Sequence, residues 1–394
     1  MKALVPLFAA LALALTPIGH AGAAPKDGPA RSVASKAKAK PGAKKAKAGA
    51  KGKRVSVKSK RALKAAPAVA AIDYDGEHSN FLEWQAVQGF IDEMAGQHGF
   101  DRAYLESLFS QARFIDSAVQ LVKPAPPGKP KNWQAYSARF IEPIRIAAGV
   151  RFWNDNAGAL ARAEAAYGVP AEIIVGIIGV ETIYGRDTGK FRVLDTLATL
   201  AFAYPDTPNR LGRMAFFRSE LAQTLVFARE HKIEPFSLLG SFAGAVGMPQ
   251  FMPGSILRYG VDFNNDGQID LRDSPDDAIG SVANFLVQHG WNPEHRGAPA
   301  YPAEVSPNQA WEPLLERGLA ATLRPEELRA AGVVTEALPA ERLYGLVDLQ
   351  NGAEATGYWV ANDNFFAITK YNRSYFYAMS VIELGRAVRA SRGG

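Results

Sequence analysis

One stretch limits the folds open to this chain more than any other: Glu172-Ile-Ile-Val-Gly-Ile-Ile-Gly-Val-Glu181-Thr-Ile-Tyr-Gly185, an almost unbroken apolar run with one carboxylate near its end. A helix that is apolar on every side has no face for solvent, so it must lie at the centre of a fold with other elements around it. Gly176 and Gly179 leave room for another backbone to approach closely, and Gly185 supplies a stop. Glu181 then falls in the last turn. Burial and the negative end of the helix dipole both disfavour its ionised form, which moves its pKa in the direction a general acid near neutral pH requires. On these residues alone a second possibility stands beside the first, a glutamate paired with Arg186 or Arg192 just beyond.

At 394 residues the chain has room for one large domain or a few ordinary ones. Zero cysteines exclude disulfides, thiolate metal sites, a thiol nucleophile and a lipid-modified cysteine. Lys2, the apolar stretch from Ala3 to Leu15 and the small-x-small Ala21-Gly22-Ala23 form a secretory signal peptide over residues 1–23. The expected location is therefore the periplasm. Residues 24–72 form a basic linker whose composition cannot bury enough apolar surface to order itself. It holds fifteen Lys or Arg against the single acid Asp27, so the chain's net +6 belongs to this segment and the remainder is acidic. Behind a signal peptide such a tail suits anionic envelope components rather than nucleic acid, or serves as a solvated spacer.

The rest reads as mainly α, in the α+β class. Phe81, Trp84, Val87, Phe90, Ile91 and Met94 recur at helical spacing, predicting two or three helices between Tyr74 and Gln120. A breaker cluster from Pro124 to Pro130 follows, then one long helix from Ile144 to Tyr167. Further helices are expected at 195–204, 213–231, 277–290 and 374–389. Leu343 to Leu349 and Gly357 to Val360 predict strands of a small appended sheet. The domain order is a helical part over 73–167, a core over 168–298, a β part over 299–360, and a segment over 361–390 that returns to the helical part.

Three further stretches carry chemistry. Ser241-Phe-Ala-Gly-Ala-Val-Gly-Met-Pro-Gln250-Phe-Met-Pro-Gly254 is a tight, shaped loop that suits a pocket wall, with Gln250 offering donor and acceptor. Tyr371, Asn372, Tyr375 and Tyr377 form a polar and aromatic patch of the kind that recognises sugars, or the edge of a core. Asp262, Asn264, Asp266, Gly267, Gln268 and Ile269 reproduce an EF-hand-like loop for a hard cation, Ca2+ or Na+, in a structural role. Position twelve holds Asp273 where a bidentate Glu is usual, so Asp273, Asp276 or Asp277 closes the loop. No organic cofactor motif is present, and the six histidines show no metal-ligand spacing.

Four motifs in order, Val175-Gly-Ile-Ile-Gly-Val-Glu181-Thr with Gly185-Arg186, Gly240-Ser-Phe-Ala-Gly-Ala with Gln250-Phe-Met-Pro253, Asp277-Ala-Ile-Gly-Ser-Val-Ala-Asn284, and Thr369-Lys-Tyr-Asn-Arg-Ser374 with Tyr377-Ala-Met379, resemble the membrane-bound lytic murein transglycosylase B family. The resemblance runs from about Phe81 to Val388. It implies a lysozyme-like core flanked by a helical domain and a small β domain, acting as a monomer on peptidoglycan glycan strands. The implied reaction cleaves the β-1,4 bond between N-acetylmuramic acid and N-acetylglucosamine without water. Glu181 would act first as acid and then as base, giving a 1,6-anhydromuramyl end, with the substrate's N-acetyl group steadying the cationic centre. This departs from the two-carboxylate plan of most glycosidases. The resemblance places Tyr136, Ser241, Gln250, Tyr371, Asn372 and Tyr377 against sugar or against the acid. Asp262, Asn264, Asp266, Gln268 and Asp277 are the implied cation ligands, favouring Asp277 as the closing one. Phe285 stands where the family can carry a tyrosine, and some members are lipoproteins, which the absence of cysteine disfavours here. The alternatives to a transglycosylase are a hydrolytic muramidase on the same scaffold and a non-catalytic envelope-binding protein.

Overall fold

The apolar run folds into a helix, Ala171–Thr182, in which only Glu172 and Glu181 fall short of full burial. The structure, a computed structural model, describes residues 81–124 and 130–393. The expected signal peptide, the basic linker and most of the proline cluster lie outside the described residues. Before the apolar helix come α1 (Gln85–His98), α2 (Arg102–Gln111), α3 (Asp116–Leu121), α4 (Trp133–Ser137), α5 (Pro143–Asp155) and α6 (Ala157–Tyr167), which makes the apolar helix α7. The stretch from Ile144 to Tyr167, expected as one helix, is thus two. Asn156 leaves helical geometry (φ −116°, ψ 24°), and its side-chain amide donates to the Phe152 carbonyl at 2.8 Å. A side chain competing for a helix carbonyl offers the backbone another course, and here it ends α5.

After α7 come β1 (Phe191–Arg192), α8 (Val193–Ala203), α9 (Arg210–Glu230), β2 (Leu239–Gly240), α10 (Pro253–Tyr259) and α11 (Pro275–Gln288). β1 and β2 form a minimal antiparallel pair. The β part contains β3 (Ala300–Val305), α12 (Glu312–Leu315), α13 (Pro325–Ala330), β4 (Val333–Thr335), β5 (Gly345–Asn351) and β6 (Glu354–Ala361). Its sheet is antiparallel in the order β4-β3-β6-β5 and has its own small core, which includes Trp311, Leu328, Tyr344, Leu346 and Val360. The chain closes with α14 (Asp363–Tyr371) and α15 (Tyr375–Ser391).

α15 returns to lie along α7, and glycines make the approach possible. A Cβ on Gly176 would collide with the Val381 carbonyl of α15, and one on Gly385 with the Glu172 carbonyl of α7. Each helix therefore gives up a side chain where the partner's backbone passes. Ile173, Ile174, Val175, Ile177, Ile178 and Val180 all lie within 2% exposure. Burying six such aliphatics contributes at most roughly 10–15 kcal/mol against an extended chain. Ser374 caps α15, its hydroxyl accepting from the Tyr377 N–H at 3.4 Å, and so sets the first turn on which Tyr377 stands.

Replacing Gly385 by alanine should lower the urea midpoint, with a cost of about 1–3 kcal/mol or more from overpacking against backbone. Gly89 in α1, whose added Cβ would meet nothing within 4 Å, is the control. Gly89→Ala should leave stability unchanged or raise it by up to about 1 kcal/mol, the ordinary helix preference.

Candidate active site

α7 ends more abruptly than its sequence suggests. The stop expected at Gly185 comes earlier: Ile183 (φ 52°), Tyr184 (φ 58°) and Gly185 (φ 83°) all take the left-handed conformation. A β-branched residue there is strained, at an order of 1–3 kcal/mol, so surrounding contacts must hold it. The Tyr184 ring fits where Gly149 and Gly179 lack a Cβ, and it packs on Phe152 with centroids 5.2 Å apart. Gly179 thus makes room for a side chain, whereas Gly176 meets a backbone as expected. Thr182 Oγ1 donates to the Met248 carbonyl at 2.8 Å and accepts from the Gly185 N–H at 3.0 Å. Arg145, buried on α5, donates to the Val180 carbonyl at 3.4 Å, placing a cation at the negative end of the helix.

This turn fixes Glu181 beside α15. The Tyr377 hydroxyl donates to Glu181 Oε1 at 2.6 Å. Glu181 as a residue is partly exposed, while its carboxyl is enclosed by protein. Burial pushes the carboxyl up to about 7, and the Tyr377 hydrogen bond, which favours the ionised form, works against that rise. The arginine partnership is not formed: Arg192 pairs with Asp195 at 2.5 Å, and Arg186 is exposed. Three phenols surround the acid. Tyr136 is pushed up to about 12 by burial and then by the Glu181 charge. Tyr371 and Tyr377 are raised well above the usual phenol value by the same two causes. All three therefore remain hydrogen-bond donors at neutral pH.

The loop of 241–254 forms a wall tied down at three points. Besides the Thr182 bond to Met248, Tyr371 donates to the Pro249 carbonyl at 2.6 Å, and Gln250 Nε2 donates to the Thr188 carbonyl at 3.2 Å. Gln250 itself holds a left-handed φ of 52° and also donates to the Gly247 carbonyl at 2.9 Å. Ser241 is buried in the loop's own turn, its hydroxyl accepting from the Ala245 N–H at 3.0 Å. Asn372 ends α14 and is partly exposed. Tyr375, grouped with these by sequence, is separate: its hydroxyl donates to the Gly318 carbonyl at 2.8 Å. Phe285 packs edge-on to Tyr371 with centroids 4.8 Å apart, a buttress under that ring. Sequence reasoning missed Phe376, which stands T-shaped to both Trp133 and Tyr136 at 5.4 Å. The three-residue spacing of Trp133 and Tyr136 on one helix, next to an aromatic preceding Tyr377, was the available signal. Together these groups enclose one carboxyl, able to give and take a proton, among aromatic rings and phenol donors.

The cation-loop residues run from the segment after α10 into the first turn of α11. Asp262 accepts from the Asp266 and Gly267 N–H groups at 3.1 and 2.8 Å, and Asn264 accepts from Asp266 N–H at 3.0 Å. Asp266 accepts from the Gln268 N–H at 2.9 Å. Asp277, fully buried, accepts from Phe263 N–H and Asp270 N–H, both at 2.9 Å, and so joins the two limbs of the loop. Asp276 turns away to Arg162 at 2.5 Å, and the Asp273 N–H donates to Asp270 at 2.9 Å. The donors are all oxygen, which fits a hard cation. Among the described residues no three acidic or imidazole groups converge as a formed metal cluster.

The sequence profile of the Transglycosylase SLT domain matches residues 83–386. The chain is 44% identical over 318 residues to the membrane-bound lytic murein transglycosylase B of Escherichia coli strain K12, covering 78% of this chain and 83% of that protein. Its fold is similar to that of the soluble lytic transglycosylase SltB1 of Pseudomonas aeruginosa, with TM-score 0.72, 44% identity, and coverage of 78% of this chain and 100% of that one. It is also similar to the Escherichia coli lytic transglycosylase Slt35 in complex with calcium, with TM-score 0.71, 42% identity, and coverage of 80% and 96%.

The carboxyl of Glu181 should titrate near 7, read by 13C NMR of glutamate-labelled protein with Glu181→Gln as the assignment control. Because the Tyr377 bond favours the ionised form, Tyr377→Phe should move that midpoint upward. A midpoint that stays put or falls would show that the phenol does not tune the acid.

Proposed function

The chain belongs to the transglycosylase SLT domain family, and we propose that Glu181 is the residue through which it works. The protein is an enzyme, a peptidoglycan lytic transglycosylase. The observation that carries the assignment of Glu181 is its enclosed carboxyl, bonded by one phenol at 2.6 Å, an arrangement in which burial pushes its pKa up to about 7. A group of that pKa is protonated often enough to give a proton and, once ionised, basic enough to take one.

Glu181 gives its proton to the glycosidic oxygen between N-acetylmuramic acid and N-acetylglucosamine as the C1–O bond breaks. The ionised carboxylate then accepts the proton of the muramyl 6-hydroxyl while that oxygen bonds to C1. The product carries a 1,6-anhydro ring, no water is consumed, and Glu181 ends protonated as it began. Tyr377 supports the ionised form between the two steps. Tyr136, Gln250 and Asn372 supply donors and an acceptor to the sugars. Tyr371 and Ser241 shape the wall through their bonds to Pro249 and within the 241–245 turn. Periplasmic placement is supported by the leader-like first 23 residues, and contact with anionic envelope components by the basic segment.

Glu181→Gln should lower turnover on purified murein by about 10²–10⁴, the usual worth of a positioned acid or base. Mass spectrometry of wild-type products should show ends one water lighter than reducing ends. Hydrated ends alone would replace the transglycosylase mechanism with hydrolysis.

We also assign Asp262, Asn264, Asp266, Asp277 and the Gln268 carbonyl to a Ca2+ ion, which would neutralise the clustered carboxylates and tie the loop to α11. Chelation should lower the melting temperature, added Ca2+ should restore it, and Asp277→Asn should remove the difference.

A further inference from the structure

A cavity of about 450 Å3 lies on the face of the small sheet. That volume falls in the range of sites that hold small ligands. Its floor is β5 and β6, where Asp348 stands opposite Tyr358 in register and accepts from Gln350 Nε2 at 2.7 Å. Trp311 and Glu312 form a wall, and Lys131 also lines it. The Trp311 ring is fixed by its N–H, which donates to the Ser306 carbonyl at 2.9 Å, and it meets Tyr358 at 4.8 Å between centroids.

The charges in this cavity are specific. Burial raises the Tyr358 hydroxyl, and the Asp348 and Glu312 carboxylates raise it further, so both acids bear on one phenol. Glu312 and Asp348 bring two negative charges to the lining and Lys131 offsets only one, so the cavity stays net negative and favours a ligand cation. Neutral acetamido sugars bring none. A peptide with a free side-chain ammonium does, and its aliphatic stem would lie against Trp311 and Tyr358 while a carboxylate reaches Lys131.

The cavity is also tied to the surroundings of Glu181. The Gly352 N–H donates to the Lys131 carbonyl at 2.8 Å, and the Gln134 N–H to Asn351 Oδ1 at 3.1 Å. These bonds fasten the sheet to the segment that leads into Tyr136, which feels the Glu181 charge. Lys131 precedes Tyr136 by five residues, less than about 18 Å of chain even if extended. We propose that this cavity binds the stem peptide of a peptidoglycan strand whose glycan lies against Glu181, taking the ammonium of a dibasic residue between Glu312 and Asp348. It rests on the peptidoglycan assignment made above.

Two measurements on the full chain test it. The first is calorimetric titration with a synthetic stem tetrapeptide bearing a free side-chain ammonium. It should bind saturably, and either acetylating that amine or the double substitution Glu312→Gln with Asp348→Asn should weaken binding about tenfold or more, the worth of a charge-assisted bond. The second compares cleavage of glycan strands with and without stem peptides. The double variant should raise KM on peptide-bearing strands, leaving kcat and the KM on stripped strands unchanged. No peptide binding, or binding that neither change weakens, overturns the cavity's role. So does an unchanged KM ratio between the two strands. A wild type that cleaves neither strand overturns the peptidoglycan assignment instead, and the titration separates that failure from failure of the cavity.

Discussion

The close approach of α7 and α15 is the constraint on which the rest depends. Gly176 passes the Val381 carbonyl and Gly385 passes the Glu172 carbonyl, so neither helix tolerates a larger residue at its crossing. The same pair of helices carries Glu181, the proposed acid, and its hydrogen-bond partner Tyr377, which are 196 residues apart in sequence. Stability and chemistry are thus set by one packing geometry. A shift of α15 along α7 that eased the glycine contacts would also lengthen the 2.6 Å bond to the acid. The C-terminal segment reaches Glu181 because it is part of the core.

Much of this was legible in the sequence because its signals are local. The helix apolar on every side could only be central, and its one internal carboxylate drew attention to itself by its cost. The mainly helical class with a small sheet followed from periodicity, and the motif order pointed to a family that the profile and relatives also show. What could not be read depends on distance and on backbone conformation. Nothing local tells that Gly149 and Gly179 jointly seat Tyr184, that Ile183 turns left-handed before Gly185, or that Asn156 divides a long apolar period. The aromatic patch likewise mixed residues with different fates. Tyr371 and Tyr377 stack 6.2 Å apart beside the acid, while Tyr375 turns to Gly318. Their spacing carried no sign of that split.

A phenol rather than a guanidinium beside Glu181 suits the work proposed for that one carboxyl. An arginine within salt-bridge distance would hold the carboxylate ionised and pull its pKa below the range in which it can act as an acid. Arg192 and Arg145, both near α7, are drawn off to Asp195 and to the Val180 carbonyl. Tyr377 supplies a neutral donor, which lowers the carboxyl only part of the way against burial and leaves it at about 7. Burial alone would favour the acid and penalise the base that must follow it. A salt bridge alone would do the reverse. The opposed effects of an enclosed carboxyl and a single hydroxyl leave both protonation states of Glu181 accessible, and that balance is what the proposed use of one residue in both half-reactions requires.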